Sequence, residues 1–236
     1  MSVLVTGGAG YIGSHMVLAL ADANEKVVVL DNLSTGLRSA VDQRAIFVEG
    51  DIADVELVSS LFAQHDVQAI VHFAGSIIVP ESVSDPLKYY FNNTAKTRAL
   101  IDTAVQKGIP HFVFSSTAAV YGMPERVPVT EDVVLNPMSP YGRSKLMTEW
   151  MLEDVAAAHA LKYAILRYFN VAGADPAGRS GQSTRDATHL IKVAVQTALG
   201  LRQQMSIFGT DYDTPDGTCI RDYIHVSDLI AAHMDA

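Results

Sequence analysis

The sequence predicts an α/β fold, a doubly wound parallel sheet followed by a smaller C-terminal lobe. Apolar strand-like segments alternate with helical patterns along most of the 236 residues. This alternation is typical of a parallel sheet with helices on both faces. A glycine-rich turn, Gly7-Gly8-Ala9-Gly10-Tyr11-Ile12-Gly13, joins the first strand to the first helix. A glycine turn at this place indicates a Rossmann-type sheet, which binds dinucleotides.

The elements follow one another in a regular order. Strands are predicted at 2–6, 27–30, 45–48, 69–73, 112–115 and 163–166. Helices are predicted at 11–24, 54–65, 85–107, 140–160 and 188–200. Glycines and prolines interrupt the pattern beyond about Asn170, so we expect a Rossmann domain over 1–170 and a partial substrate-binding lobe over 171–236. The last apolar helical pattern, 228–236, has no cap at its end, and we therefore expect this lobe to be truncated.

Composition restricts the classes of function. The formal net charge of −9, without any basic run, argues against a nucleic-acid or anionic-membrane partner, because such surfaces require clustered Lys and Arg. The single cysteine, Cys219, excludes an internal disulfide framework and a cysteine metal cage. The eight histidines lack paired ligand spacing, so we expect no metal. With no apolar run of about 18 residues, a cytoplasmic location is expected.

The glycine turn predicts the pyrophosphate site. A side chain at Gly10 would collide with a bound pyrophosphate, while Gly13 lets the helix pack closely on the strand, and Gly7 completes the repeated spacing. The first amides of the helix, at Tyr11 and Ile12, would then face the anion. The alternative is a glycine-rich turn without a ligand, but the strand before it and the helix after it favour the nucleotide.

Asp31 predicts the identity of the cofactor. It ends the second strand, 18 residues after Gly13. A carboxylate there accepts hydrogen bonds from the adenosine ribose and repels a 2′-phosphate, which predicts NAD rather than NADP. The alternative is an ordinary strand-end turn residue. Further cofactor contacts are predicted in the loops after the second, third and fourth strands, at Asn32, Ser34, Thr35, Gly36, Asp51, Ile52, Phe73, Ala74 and Gly75.

Tyr141 and Lys145 predict the chemistry. They stand four apart in a helical pattern and therefore share a face. A phenol with an ordinary pKa of about 10 is a poor base, but a nearby ammonium and a positively charged nicotinamide both favour the phenolate. Such a phenolate can take a proton from a sugar hydroxyl while hydride leaves the carbon. Thr117, at the end of the fifth strand, is predicted to hold the substrate oxygen. The alternatives are a surface Tyr–Lys pair and a capping threonine.

The chain also resembles the extended short-chain dehydrogenase/reductases, and among them the enzymes that epimerise UDP-hexoses. The resemblance rests on stretches at 6–13, 31–36, 50–52, 72–75, 91–93, 114–122, 139–145, 166–173 and 216–225. The runs Arg167-Tyr168-Phe169-Asn170 and Arg221-Asp222-Tyr223-Ile224-His225 are its most specific parts. The resemblance implies a redox-neutral inversion at C4, which interconverts UDP-glucose and UDP-galactose through a 4-keto sugar while NAD stays bound.

The resemblance also implies the roles of individual residues. Tyr141 would be the base, Lys145 its tuning group and Thr117 the hydroxyl partner. Cofactor contacts at the nicotinamide end are implied for Asn92, Tyr168 and Phe169. Substrate contacts are implied for Asn170 and Arg221 at the phosphates and for Thr188, His189, Leu190 and Phe208 around the uridine. Some members place a lysine where this chain has Ser76-Ile77-Ile78, so that nucleotide contact is absent. Members also continue further, so a chain complete at this length would bind UDP-sugars poorly.

Several alternatives stay open. The substrate is either the UDP-hexose or another UDP-sugar, such as a UDP-pentose or a UDP-N-acetylhexosamine. Sugar dehydration is disfavoured because Ala118 and Ala119 cannot move protons. A non-catalytic dinucleotide sensor is disfavoured by the intact Thr117, Tyr141 and Lys145. We also expect a homodimer, formed through the helices predicted at 85–107 and 140–160.

Overall fold

The computed structural model describes residues 1–184 and 188–236. Six strands form one parallel sheet, and their order is β3-β2-β1-β4-β5-β6. They are β1 (Ser2–Thr6), β2 (Lys26–Asp31), β3 (Ile46–Glu49), β4 (Ala69–His72), β5 (His111–Ser115) and β6 (Lys162–Leu166). The predicted Rossmann-type sheet is confirmed. The order reverses between β1 and β4, and ligands of such sheets bind at this point, beyond the carboxyl ends of the strands.

Helices cover the sheet. They are α1 (Tyr11–Asp22), α2 (Val55–His65), α3 (Val79–Ser84), α4 (Pro86–Tyr89), α5 (Lys96–Gln106), α6 (Pro140–Ala158), α7 (Leu190–Ala198) and α8 (Val226–Asp235). The start of α6 is fixed locally. The Ser139 side chain accepts a hydrogen bond from the Gly142 amide, and Pro140 occupies the first helical position. This cap sets where the helix begins and so determines the direction in which Tyr141 and Lys145 point.

The predicted helix at 85–107 is wrong in detail. The structure has α4, a π-helical segment (Tyr90–Ala95) and α5 in its place, and it adds the short helix α3 before them. The wider π turn brings Asn93 into the interior, where its Oδ1 accepts from the Ser76 amide at 2.7 Å and its Nδ2 donates to the Ser76 carbonyl at 2.9 Å. Nothing in the apolar periodicity distinguishes a π turn from an α turn, so the sequence did not show it.

The apolar core has two parts, one on each face of the sheet. Successive residues of a strand point to opposite faces, and β1 shows this directly. Leu4 belongs to one cluster, together with Phe112 and Leu152. Val3 and Val5 belong to the other. Burial on both faces explains why the strands are continuously apolar rather than alternating.

The C-terminal part is built partly onto the Rossmann core. A separate pair of parallel strands, β7 (Asn170–Ala172) and β8 (Tyr223–His225), follows the main sheet. After it, α8 packs against α1, and its Val226 and Ile230 join the same cluster as Val3 and Val5. The last helix of the predicted 171–236 lobe therefore packs on the Rossmann layer, while the division at residue 170 stays a prediction. None of the helices in the described parts of the chain is long and apolar enough to cross a membrane.

Candidate active site

The glycine turn forms an open cradle at the start of α1. Gly7 has a φ of 72°, and a Cβ there would lie 2.6 Å from the Ala74 amide nitrogen. A Cβ at Gly13 would lie 2.2 Å from the Gly7 carbonyl oxygen. Among the described residues, a Cβ at Gly10 would approach only that same oxygen, at 3.2 Å. The turn is therefore closely packed at Gly7 and Gly13 and open at Gly10. The first amides of α1 have no partner within the helix, so this open side suits an anion.

Asp31 is fixed beside this cradle. Its carboxylate accepts from the Ala9 amide at 2.9 Å and from the Leu33 amide at 2.8 Å, and the residue is 9% exposed. The bond to Leu33 closes an ordinary turn at the end of the strand. The alternative role of Asp31 as a turn residue therefore holds as well. The bond to Ala9, however, ties the carboxylate to the fingerprint turn itself. The remaining lone pairs can accept hydrogen bonds from ribose hydroxyls, which fits the adenosine end of NAD.

The loops after β2 and β3 border the cradle. Gly36 lies against the fingerprint turn, because a Cβ there would be 2.8 Å from the Ala9 Cβ. Asn32, Ser34 and Thr35 are exposed and Ile52 is buried. Asp51 has a partner that the sequence did not suggest: its Oδ2 lies 2.5 Å from Lys96 Nζ. Lys96 therefore shares the carboxylate predicted to accept from the adenine amino group, and that contact stays a prediction.

The end of β4 joins the cradle to the reaction residues. Phe73, Ala74 and Gly75 follow this strand, and Ala74 is the residue against which Gly7 packs. A Cβ at Gly75 would lie 3.1 Å from Asn93 Oδ1 and 3.7 Å from Lys145 Nζ. A predicted cofactor residue, Gly75, and a predicted catalytic residue, Lys145, are therefore neighbours beyond the carboxyl end of β4. Asn92 lies in the same segment, and its Nδ2 donates to the Ser76 hydroxyl at 2.9 Å.

The structure brings the three predicted catalytic residues together at the end of β5. The Lys145 ammonium is 4% exposed and donates to the Ser115 carbonyl at 3.0 Å. The Thr117 side chain lies beside the Tyr141 phenol and lowers its pKa in part. It also accepts from the Ala119 amide at 3.1 Å, so the capping alternative holds at the same time. Tyr168 joins this group through a hydrogen bond between its phenol and the Ser115 hydroxyl.

In the protein alone, the phenol of Tyr141 is neutral near pH 7. Burial raises the pKa of Tyr141, although Thr117 lowers it in part. Burial also lowers the pKa of Lys145 to about 8, while the charge of Glu149 raises it. The phenolate was predicted from two positive charges together, those of Lys145 and of an oxidised nicotinamide, and it stays a prediction. A further positive charge beside the phenol is needed, and an oxidised nicotinamide carries one.

Three residues of the site were not predicted. Glu149 is completely buried and accepts hydrogen bonds from Arg167 and Ser116. The Tyr89 ring meets the Tyr141 ring edge-on, with centroids 6.4 Å apart. His233 of α8 lies between Phe73 and Tyr168, with ring centroids 5.0 Å and 6.0 Å away. Only Glu149 left a trace in the sequence, because it continues the spacing of Tyr141 and Lys145 by another four residues.

The residues predicted on the substrate side lie at the surface. Asn170 of β7 donates to the Asp222 carbonyl at 2.9 Å, and Arg221 donates to the Ile220 carbonyl at 3.0 Å. Within the described part of the chain, Arg221 has no ion pair with Asp222 or Asp228, so its guanidinium is available for an anion. Other predicted contacts are exposed: Thr188, His189, Leu190, Phe169 and, at 85%, Phe208. The structure does not gather these last residues into a closed pocket, and their roles stay predictions.

A Rossmann sheet with a glycine cradle, an acidic residue after β2 and a Thr–Tyr–Lys group after β5 defines a dinucleotide-dependent short-chain dehydrogenase/reductase. The comparisons with known proteins narrow this class. Residues 3–236 match the family model of the NAD dependent epimerase/dehydratase family. The chain belongs to this family.

Among known proteins, the chain is similar to several UDP-glucose 4-epimerases. It is 62% identical to that of Azospirillum brasilense, over 98% of this chain and 67% of the relative, and 51% identical to that of Lacticaseibacillus casei, over 99% and 71%. The crystal structure of the Brucella ovis UDP-glucose 4-epimerase in complex with NAD superimposes with a TM-score of 0.95 at 48% identity, over 99% of this chain and 71% of that chain. The structure of the Bifidobacterium longum UDP-glucose 4-epimerase in complex with NAD+ and UDP superimposes with a TM-score of 0.95 at 36% identity, over 99% of this chain and 73% of that chain.

Proposed function

We propose that this protein interconverts UDP-glucose and UDP-galactose by inverting C4, with NAD as its resident redox partner. The observation that carries the proposal is that Thr117, Tyr141 and Lys145 lie close together near the glycine cradle, beyond the carboxyl ends of the central strands. The relatives named UDP-glucose 4-epimerase, at up to 62% identity, support the choice of reaction. When bound, NAD would accept hydride from C4 and return it to the opposite face of a 4-keto sugar.

Each side chain has a task that follows from its surroundings. Tyr141, in the phenolate form that a neighbouring positive charge would favour, takes the proton of the sugar 4-hydroxyl as C4 loses hydride, and the phenol returns that proton when hydride comes back to C4. Thr117 lies beside that phenol and so can hold the same sugar oxygen. Lys145 supplies a buried positive charge next to the proton transfer. The cradle at Gly10 and the carboxylate of Asp31 hold the dinucleotide in position.

On the substrate side, we assign the UDP phosphates to Arg221 and Asn170. A guanidinium can bind a phosphate through two parallel hydrogen bonds, and that of Arg221 is exposed. Around the uridine we assign Thr188, His189, Leu190 and Phe208. Their exposure in this chain leaves them accessible to a nucleotide, with Phe208 at 85%.

The reaction is tested by incubating the purified protein separately with UDP-galactose and UDP-N-acetylgalactosamine and by separating the products. We expect UDP-galactose to be converted to UDP-glucose. Tyr141→Phe should lose turnover while NAD remains bound. Tyr163→Phe is the matched control, because Tyr163 is an exposed phenol at the start of β6. Conversion by Tyr141→Phe at the rate of the control would contradict the assignment of the base.

A second substrate class is supported by one neighbour. The Campylobacter jejuni protein described as a UDP-Glc/GlcNAc 4-epimerase superimposes with a TM-score of 0.84 at 50% identity. Conversion of UDP-N-acetylgalactosamine in the same experiment would extend the substrate range to acetylated sugars. NAD binding without conversion of either sugar would instead indicate a dinucleotide-sensing protein.

We further propose that the protein acts in the cytoplasm as a homodimer. The outer faces of the π segment and α6 carry exposed aromatic side chains, Phe91 at 63% and Trp150 at 53%. Two such helical faces from each subunit can pack into a four-helix interface. Light scattering tests this assembly. We expect Trp150→Asp to give monomers, while Val134→Asp, at an exposed loop position of 82%, should leave the dimer intact. A monomeric wild type at micromolar concentration would refute the assembly.

A further inference from the structure

A buried glutamate lies one turn beyond Lys145 on α6. Glu149 is 0% exposed, and an ionised carboxylate is stable in such an interior only when it is paired and hydrogen-bonded. Its Oε2 accepts from Arg167 Nη2 at 2.7 Å and Nε at 3.0 Å, and its Oε1 accepts from the Ser116 hydroxyl. The guanidinium of Arg167 is held in turn by Tyr121, whose hydroxyl lies 3.3 Å from Nη1. The carboxylate is therefore paired with a guanidinium and fixed in position.

The partners of this carboxylate belong to the strand ends that carry the reaction residues. Ser116 lies between Ser115, whose carbonyl accepts a hydrogen bond from the Lys145 ammonium, and Thr117, whose side chain lies beside the Tyr141 phenol. Arg167 directly precedes Tyr168, which binds the Ser115 hydroxyl. The carboxylate thus ties the ends of β5 and β6 to the helix that bears the base. The spacing between Thr117 and that helix depends on this tie.

Glu149 also acts on Lys145 through its charge. The two residues are four apart on α6 and so share a face of the helix, and the charge of Glu149 raises the pKa of Lys145. The ammonium is buried, with the Phe114 ring 4.9 Å away and one carbonyl as acceptor. A buried ammonium without a nearby negative charge tends to lose its proton.

Among the described residues, the other titratable groups around Lys145 supply no such charge. His72 of β4 is neutral, because burial lowers its pKa to about 3. Tyr141 of α6 and Tyr168 after β6 are uncharged near neutral pH, because burial raises the pKa of both phenols. Arg167 is positive and is paired with Glu149. The negative charge that faces Lys145 from the elements packed around it therefore belongs to Glu149.

We propose that Glu149 is a positioning residue of the reaction site, whose buried carboxylate keeps Lys145 protonated and, with Arg167, fixes the strand ends that present Thr117 and Tyr168. The consequence for turnover rests on the proposed function, whereas the effect on Lys145 does not. Above the pKa of Lys145 the site loses its positive charge. Removing the carboxylate therefore moves this loss to lower pH.

The test measures the titration of Lys145 directly, by NMR of protein labelled with ¹³C at lysine Cε, with the signal assigned through Lys145→Met. In Glu149→Gln we expect the pKa of Lys145 to fall by about one unit, the size of effect of a nearby opposite charge. Glu153→Gln is the matched control, an exposed glutamate one turn further on α6, and should leave Lys145 unchanged. Glu149→Asp keeps the negative charge, so the pKa of Lys145 should stay close to its wild-type value.

Because Glu149→Gln leaves the Arg167 charge unpaired, the double variant Glu149→Gln/Arg167→Gln provides a second measurement. It removes the Arg167 charge together with the carboxylate, so the pKa of Lys145 should fall by less than in Glu149→Gln. An unchanged Lys145 in these variants, an equal shift in Glu153→Gln, or failure of both variants to fold would overturn the proposal. In an active enzyme, the alkaline loss of rate should begin about one pH unit lower in Glu149→Gln. In a further outcome, the wild-type protein converts no UDP-sugar while the pKa of Lys145 still falls in Glu149→Gln. That combination would refute the proposed function and leave the role of Glu149 intact.

Discussion

Alanine substitutions can separate the two roles of the fingerprint glycines, which are close packing of the turn and space for the cofactor. In Gly13→Ala the new Cβ lies 2.2 Å from the Gly7 carbonyl oxygen and 2.9 Å from the Gly8 Cα, so the backbone of the turn must move. In Gly10→Ala the new Cβ lies 3.2 Å from the Gly7 carbonyl oxygen, and the backbone there, with φ −79° and ψ 176°, suits alanine. The first change should damage the fold, and the second should damage only the cofactor site.

The expected sizes differ accordingly. Overpacking costs about 1–3 kcal/mol, and the better helix propensity of alanine returns at most about 1 kcal/mol, so Gly13→Ala should lower the free energy of unfolding by about 2 kcal/mol. Gly10→Ala changes a helix cap and should alter that free energy by less than about 1 kcal/mol. Its methyl group projects into the open side of the cradle, however, where the pyrophosphate is expected. Two lost hydrogen bonds to a charged pyrophosphate, at about 1.5–3 kcal/mol each, weaken NAD binding by roughly 10²- to 10⁴-fold.

Denaturant unfolding and calorimetric titration with NAD, after removal of resident cofactor, measure the two effects. Gly181→Ala is the control, because a Cβ there meets the Ala174 Cβ at an ordinary 3.4 Å. It should leave stability and affinity unchanged. A folded Gly10→Ala protein that binds NAD as the wild type does would refute the cradle. A Gly13→Ala protein of wild-type stability would refute the packing argument.

Three further outcomes are expected. Tyr141→Phe should lower kcat by about 10²- to 10⁴-fold, the contribution of a general base, and retained activity would exclude that role. Arg221→Leu should weaken UDP-sugar binding by about 10- to 150-fold through loss of a charge-assisted bond, seen as a higher KM with little change in NAD affinity. His72 is neutral in the folded state, because burial lowers its pKa from 6.5 to about 3. In the unfolded chain the same imidazole is protonated below about pH 6.5. Stability should therefore fall by about 2 kcal/mol from pH 7 to pH 5, and in His72→Gln this part of the loss should be absent in urea titrations.

Much of the fold followed from local patterns. The strand predicted at 2–6 is β1 as observed, and the other five strands differ by one or two residues at their ends. Continuous apolar runs and the glycine turn depend on neighbouring residues, which explains why they could be recognised without tertiary contacts. The pair Tyr141 and Lys145 was predicted for the same reason, since a spacing of four is a property of the helix itself. The break in the helix predicted at 85–107 was missed because both helix types carry similar residues.

The sequence by itself determined the Rossmann sheet, the glycine cradle and the identity of the Thr117, Tyr141 and Lys145 group. Only the tertiary structure decided how that group is supported: Glu149 meets Ser116 across 33 residues of chain, and Tyr168 meets Ser115 across 53. It also decided that α8 packs on α1 and that Lys96 pairs with Asp51. Periodicity encodes which side of a helix or strand is buried. Which charged or hydroxyl groups then meet in the interior depends on how distant segments pack, and no local pattern records it.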